Sequence, residues 1–307
     1  MAERPEAAGS PGVPGPEARR PVLAADGLVV DFPLRHGKKL RAVDQVSFRL
    51  GAGEVLGVVG ESGSGKSTLG RVIAGFLRPT AGQLLYPSPA GGLAPRGQRR
   101  PRGHRDIQMI FQESAMALNP RLPAWRLVGE AAAPNMATFP AWKRTAVAEL
   151  RAQAAGYLER AGLPAAAFAD KRAAELSGGE KQRVAIARAL AASPVAMVCD
   201  ESVSALDVSI RAVVLNLFQR LSREAGIALV FITHDISVVA HLADHLVVMY
   251  RGRIVEHGEP AGVIEDPRDE YTRRLIAAVP TLERGGVPAS RRAGAPAVRT
   301  HHPRGAT

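Results

Sequence analysis

Residues 60–68 read GESGSGKST, and no other stretch constrains the fold as tightly. They fit the pattern G-x-x-x-x-G-K-[ST], with Gly60, Gly65, Lys66 and Ser67 at the fixed places. The preceding residues 54–59 (EVLGVV) form a short apolar run of the kind that becomes a buried parallel strand. Residues 68–74 (TLGRVIA) read as a helix. Strand, glycine-rich loop and helix together give the pattern its meaning, because a phosphate chain needs several backbone N–H groups aimed at one place. Gly60, Gly63 and Gly65 let the loop wrap without Cβ clashes. The helix starting near Lys66 adds unpaired N–H groups and about half a positive charge at its N-terminus. Lys66 is expected to reach the β- and γ-phosphates, and Ser67 to offer its hydroxyl to Mg²⁺. The bland alternative is a Gly-Ser turn that happens to precede a lysine; with both flanks present the phosphate reading is favoured.

The remaining composition excludes several classes. With one cysteine, Cys199, the chain has neither a disulfide frame nor a Cys-ligated cluster. That suits a reducing compartment, and Cys199 reads as a small buried hydrophobe. No apolar run approaches the ~18–20 residues that span a bilayer, and residues 1–20 lack the apolar centre of a secretory signal. The net charge of +11 suggests nucleic acid at first sight. Yet residues 96–105 and 284–307 carry five arginines each and no acid, which leaves the body nearly neutral. Those stretches read as solvated loop and tail, with contact to anionic lipid headgroups as the sharper alternative.

Along the chain, residues 1–20 are rich in Pro, Ala and Gly and read as a disordered tail. Residues 22–32 and 41–50 read as strands. Phe32 either stacks on a nucleotide base or serves as a plain strand aromatic. A short strand is expected at 83–86, a mobile loop at 87–105 and a strand at 106–111, ended by Gln112. From about 113 to 175 the sequence turns Ala-rich and helical, with its longest helical pattern at 141–161. This segment reads as a small helical subdomain inserted into an α/β core.

Residues 176–183 read LSGGEKQR. Ser177 and Glu180 make a capping box for a helix through Leu190. A cap does not require Gly178 and Gly179, however; two glycines at a helix start leave N–H groups open to an anion. The apolar run 195–199 ends in Asp200 and Glu201, two carboxylates that are costly at a strand end unless used. Nucleotide sites in open α/β sheets lie at such ends, so Asp200 is expected to hold Mg²⁺ and Glu201 to act on the attacking water. A helix is expected from SALD (204–207) to about Ala225. A buried strand at 228–233 delivers His234, read as a γ-phosphate contact. A helix at 236–245, a hairpin at 246–257 and two helices within 260–280 complete the pattern, and residues beyond about 282 read as tail.

With these pieces in place, the sequence resembles the ATP-binding subunits of ABC transporters across about residues 22–280. The resemblance implies an α/β fold: a P-loop NTPase core with an antiparallel β subdomain and an inserted α-helical subdomain at about 113–175, between tails 1–21 and 281–307. It implies that Gly60, Glu61, Ser62, Gly63, Ser64, Gly65, Lys66, Ser67 and Thr68 form the Walker A loop around ATP. Ser67, Gln112 and Asp200 would hold Mg²⁺, and Glu201, His234 and Gln112 would carry out hydrolysis. Ser177, Gly178 and Gly179 would complete the ATP site of an opposite subunit, and Asp207 would lie in the D-loop beside nucleotide.

Residues 106–121, 204–212 (SALDVSIRA) and 271–280 (YTRRLIAAVP) look like the oligopeptide/dipeptide/nickel import subfamily. Two departures stand out: Glu113-Ser114 where that subfamily usually carries Asp-Pro, and Ser202 where Pro is usual after the catalytic acid. The implied role is to power import of peptides or a related small solute from the cytoplasmic face of the membrane. The implied partners are a second ATPase subunit (homo- or heterodimer), two permease subunits and, indirectly, an extracytoplasmic binding protein, with no nucleic acid. An exporter ATPase shares the catalytic motifs. Soluble relatives acting on nucleic acid or the ribosome carry a long coiled coil or a second cassette that this sequence lacks.

Overall fold

The computed structural model describes residues 19–88, 92–95, 106–112, 117–132, 144–204 and 206–278. Two long strands come first, β1 (Pro21–Pro33) and β2 (Lys39–Gly51), then β3 (Val55–Val59), α1 (Lys66–Ile73), β4 (Ala81–Pro87), β5 (Leu93–Pro95) and β6 (Ile107–Ile110). The helical stretch holds α2 (Ala124–Ala132), α3 (Arg144–Arg160) and α4 (Ala165–Phe168). There follow α5 (Gly178–Ala191), β7 (Ala196–Asp200), α6 (Val208–Arg223), β8 (Ala228–Thr233) and α7 (Ile236–Leu242). The last elements are β9 (His245–Tyr250), β10 (Arg253–Gly258), α8 (Pro260–Glu265) and α9 (Glu270–Ala277). No helix among the described residues is long and apolar enough to cross a membrane.

The strands form two sheets. One is antiparallel, in the order β2-β1-β4-β5; the other runs β10-β9-β3-β8-β7-β6. In the second sheet β9, β3, β8, β7 and β6 are parallel, and β10 closes one edge antiparallel to β9. The central strands β3, β7 and β8 are buried at every residue, as parallel strands covered on both faces must be. Residue parity sorts their side chains. Val55, Val59, Met197, Cys199, Leu229 and Phe231 face a core shared with α5, α6 and α7. Leu56, Val58, Ala196, Val198, Val230 and Ile232 face a second core with α1 and the antiparallel sheet. The strand period of two thus builds both layers from one sheet.

Among the described residues the chain differs from its sequence reading most clearly at 87–105 and 236–245. Part of the expected loop 87–105 is a strand, β5, which extends the antiparallel sheet through β4. The helix expected to reach His245 ends at Leu242, because Asp244 is drawn onto β3. Its N–H donates to the Val55 carbonyl at 2.9 Å and its carboxylate accepts the Val55 N–H at 2.9 Å. His245 therefore opens β9 and is buried. Of the helical pattern 141–161, residues 144–160 are helical and 141–143 lie outside the described residues. The two tails up to residue 18 and from 279, the basic stretch 96–105, Glu113-Ser114 and Ala205 also lie outside them.

Candidate nucleotide-binding site

The parallel strands β3, β7 and β8 end on one edge of the sheet, and the polar groups collect there. The loop after β3 leads into α1, whose N-cap is Gly65 in the left-handed region (φ 104°) with no side-chain cap. A Cβ at Gly65 would lie 2.2 Å from the Ala42 carbonyl of β2, so only glycine fits between the two backbones. Without a capping side chain, the first N–H groups of α1 stay open to an external acceptor, the geometry that binds phosphate.

Lys66 is 5 % exposed, with its ammonium held at 2.6 Å by the Gly60 carbonyl and 2.7 Å by the Glu61 carbonyl. Burial pushes its pKa down, and the charges of Glu201, Asp200 and Glu61 oppose that shift. Ser67 donates its hydroxyl hydrogen to Asp200 at 3.0 Å, joining the loop to the end of β7. Burial pushes the Asp200 carboxyl pKa up, against the Ser67 hydrogen bond that pulls it down. A buried carboxylate beside a serine oxygen is an oxygen donor pair suited to Mg²⁺, which takes few protein ligands and shares phosphate oxygens. Among the described residues no cluster of three or more His, Cys, Asp or Glu could hold a metal by itself.

Glu201 follows directly, with φ 46°, a strained left-handed backbone for a non-glycine residue. Its N–H continues the ladder to the Ile232 carbonyl at 2.9 Å, and Ser204 closes a turn onto its carbonyl. His234, at the end of β8, sets Nδ1 3.2 Å from Glu201 Oε1. Lys66, Ser67, Asp200, Glu201 and His234 thus form one group. Gln112 is exposed two residues past β6. The β6–β7 register pairs Ile110 with Cys199, so carried onward it brings Gln112 level with Glu201. Among the other loop residues, Ser64 is buried, while Glu61, Ser62 and Gly63 are exposed. Phe32 is partly buried against the second core and pairs with Leu40 across β1 and β2.

A second group stays apart. Ser177 caps α5 by accepting the Glu180 N–H at 3.3 Å, and Glu180 returns the bond to the Ser177 N–H at 2.7 Å. That returned bond holds the Glu180 carboxyl below the usual glutamate range. Gly178 is exposed, and Gly179 is pressed so close to α6 that a Cβ would lie 2.5 Å from Ile210 Cγ2. Asp207 caps α6, accepting from Ile210 N–H at 3.0 Å and from Ser209 at 2.8 Å, which lowers its pKa. Among the described residues no hydrogen bond joins Ser177, Gly178, Gly179 or Asp207 to the phosphate loop.

Sequence reasoning missed two long-range partners. Arg211 donates to the Leu206 carbonyl at 3.2 Å and lies 3.6 Å from Asp235, linking the Asp207 turn to the residue after His234. Tyr271, on α9, accepts the Glu61 N–H at 2.7 Å. Its one sequence signal was its place at the head of YTRRLIAAVP. Cys199 is fully buried, and burial drives its thiol pKa up.

Residues 43–204 match the ABC transporter family. The oligopeptide transport ATP-binding protein OppF of Escherichia coli is 42% identical over 86% of this chain and 79% of that protein. The dipeptide transport ATP-binding protein DppF of Haemophilus influenzae is 40% identical over 85% and 79%. The glutathione import ATP-binding protein GsiA of Salmonella typhimurium is 41% identical over 86% of this chain but only 42% of its own length. Among solved structures, a dimeric post-hydrolysis ATP-binding cassette bound to ADP and phosphate matches with a TM-score of 0.63 and 27% identity, covering 78% of this chain and 98% of that one. The cbiO1 subunit of a Clostridium perfringens ABC transporter complex matches with a TM-score of 0.67 and 27% identity, covering 85% and 97%.

Proposed function

The chain belongs to the ABC transporter family, and on that premise we propose that it hydrolyses ATP to power import of peptides across the cytoplasmic membrane. The observation that carries the catalytic reading is the meeting of loop and acids at one sheet edge, Ser67 bonded to Asp200 at 3.0 Å and His234 to Glu201 at 3.2 Å. The peptide reading is supported by the similarity to OppF and DppF, and to a glutathione importer whose cargo is itself a tripeptide. Residues 22–280 form the ATPase domain in this reading, with the helical subdomain inside 113–175 and tails at 1–21 and 281–307.

The loop residues 60–68 bind the triphosphate through backbone N–H groups, and Lys66 turns its ammonium from the loop carbonyls to the β- and γ-phosphates. Ser67, Asp200 and Gln112 would hold Mg²⁺, which when bound neutralises charge on the phosphate oxygens. Glu201 takes the proton of the attacking water, and His234 holds that carboxylate in place and contacts the γ-phosphate. Ser177, Gly178 and Gly179 face the nucleotide of a second ATPase subunit, with Asp207 beside that junction. Two permease subunits and an extracytoplasmic binding protein supply the path and the cargo, with this chain peripheral on the cytoplasmic face.

Proteoliposomes carrying the assembled ATPases and permeases, with ATP inside and binding protein outside, test this. Labelled di- or oligopeptide is expected to accumulate in the lumen only with ATP. Outward transport, or ATP turnover indifferent to peptide, would contradict the reading.

A further inference from the structure

Helix α9 lies outside the strands and loops that make the phosphate site, yet it is hydrogen-bonded to that site. The Glu61 N–H donates to the Tyr271 hydroxyl at 2.7 Å. Tyr271 is 4 % exposed, and its ring stacks on Tyr250 at the end of β9, with centroids 4.2 Å apart and planes 27° from parallel. The helix that carries it is anchored independently of the loop. Asp269 caps it through the Tyr271 N–H at 2.8 Å, and Glu256 of β10 accepts the N–H groups of Arg268 and Asp269 at 2.8 and 3.1 Å. The hydroxyl is therefore a fixed point presented to the loop.

Glu61 is the joint on which the loop's shape depends. Its carbonyl accepts the Lys66 ammonium at 2.7 Å and the Ser64 N–H at 3.2 Å. The loop's far side is tied to the same support, since Ser64 accepts at its carbonyl the Gly252 N–H at 2.9 Å, just past Tyr250. A peptide plane is rigid, so an acceptor that fixes the Glu61 N–H also fixes the carbonyl before it, that of Gly60, which is the other acceptor of Lys66. The group that orders the loop thus lies 210 residues away in sequence.

We propose that Tyr271 is a positioning residue for nucleotide binding, setting the phosphate loop through the Glu61 N–H, so that α9 is part of the ATP site. This rests on residues 60–68 being the nucleotide loop. Tyr271→Phe keeps the ring and its stack and removes only the acceptor. Its expected effect is the loss of one ordinary hydrogen bond, read as about a threefold to tenfold rise in the Kd for Mg-ATP. Tyr271→Leu removes ring and acceptor together.

The test uses the full-length chain, with calorimetric titration of Mg-ATP, hydrogen exchange at the Glu61 amide and thermal melts. Tyr271→Phe is expected to bind ATP more weakly and to exchange the Glu61 amide faster, while melting close to the wild type. Tyr271→Leu is expected to share the weaker binding and to melt lower. Either a wild-type Kd or an unchanged exchange rate in Tyr271→Phe overturns the inference. So does a melting temperature that falls as far in Phe as in Leu, which would make the hydroxyl a packing group. Lys66→Ala serves as the separate control: if it binds ATP normally the loop reading itself fails, and if it loses binding while Tyr271→Phe does not, only this inference fails.

Discussion

The molecule builds two helix starts from glycine and serine, and it finishes them differently. At α1 the cap is a left-handed glycine with no side-chain partner, seated against the Ala42 carbonyl, and a buried lysine waits on the loop's own carbonyls. At α5 Ser177 and Glu180 satisfy each other, and the exposed turn is stable in itself. The first start holds its polar groups in readiness for a ligand at some cost to the free chain, because burial disfavours both the Lys66 and the Asp200 charges. The second start costs little, and among the described residues its capping groups bond only to each other. In the proposed reading one region is a site and the other is half of a site that a second subunit completes, so the same motif chemistry would serve binding at α1 and assembly at α5.

The sharpest way to break this contrast is Glu201→Gln. It removes the proposed base and leaves both helix starts intact, so turnover should fall by roughly 10²–10⁴-fold. ATP binding should persist, and the ATP-bound pair of subunits should accumulate on a sizing column. Retained turnover would remove Glu201 from the mechanism. A smaller effect probes the second start. Gly179→Ala places a Cβ 2.5 Å from Ile210 Cγ2, and such overpacking should cost about 1–3 kcal/mol in chemical denaturation. Ile210→Ala in the same chain should recover much of that loss, as contacting residues couple. An additive double mutant would show that the contact is not what limits Gly179.

The smallest effect is electrostatic, and its sign differs between the regions. The Asp200 pKa is raised in the native chain, so its contribution favours folding below the ordinary 3.8 and is lost as pH rises through the raised value. The Glu180 pKa is lowered, so its contribution is present above the ordinary 4.5 and lost as pH falls through the native value. Thermal melts from neutral to acid pH should therefore show Asp200→Asn melting no lower than wild type at neutral pH, with a gap that closes on acidification. Glu180→Gln should lack part of the wild type's acid loss. Identical pH profiles in both variants would refute the contrast.

What could be read from the sequence was what neighbouring residues write together. The strand–loop–helix at 54–74, the Ser177–Glu180 box and the acids ending a buried strand each draw their geometry from contiguous residues. The opposite holds for the features that escaped notice. Asp244 ends α7 early because Val55, 189 residues away, claims its carboxylate. The left-handed turn at Glu201 arises where β7 hands over to the next loop, and nothing in Asp-Glu-Ser announces it. Arg211 and Tyr271 look like ordinary helix residues until α6 and α9 are packed against their neighbours. Local pattern thus revealed the groups that gather at the sheet edge, and tertiary packing decided how those groups are aimed.

In the proposed reading the α1 start is complete within one chain and the α5 start is not. Calorimetric titration of Mg-ATP into the isolated full-length chain, comparing Lys66→Ala with Ser177→Ala, tests it most directly. Lys66→Ala is expected to weaken binding by about 10- to 100-fold, the loss of a charge-assisted contact, while Ser177→Ala is expected to bind as the wild type does. Equal weakening by the two variants, or none from Lys66→Ala, would contradict it.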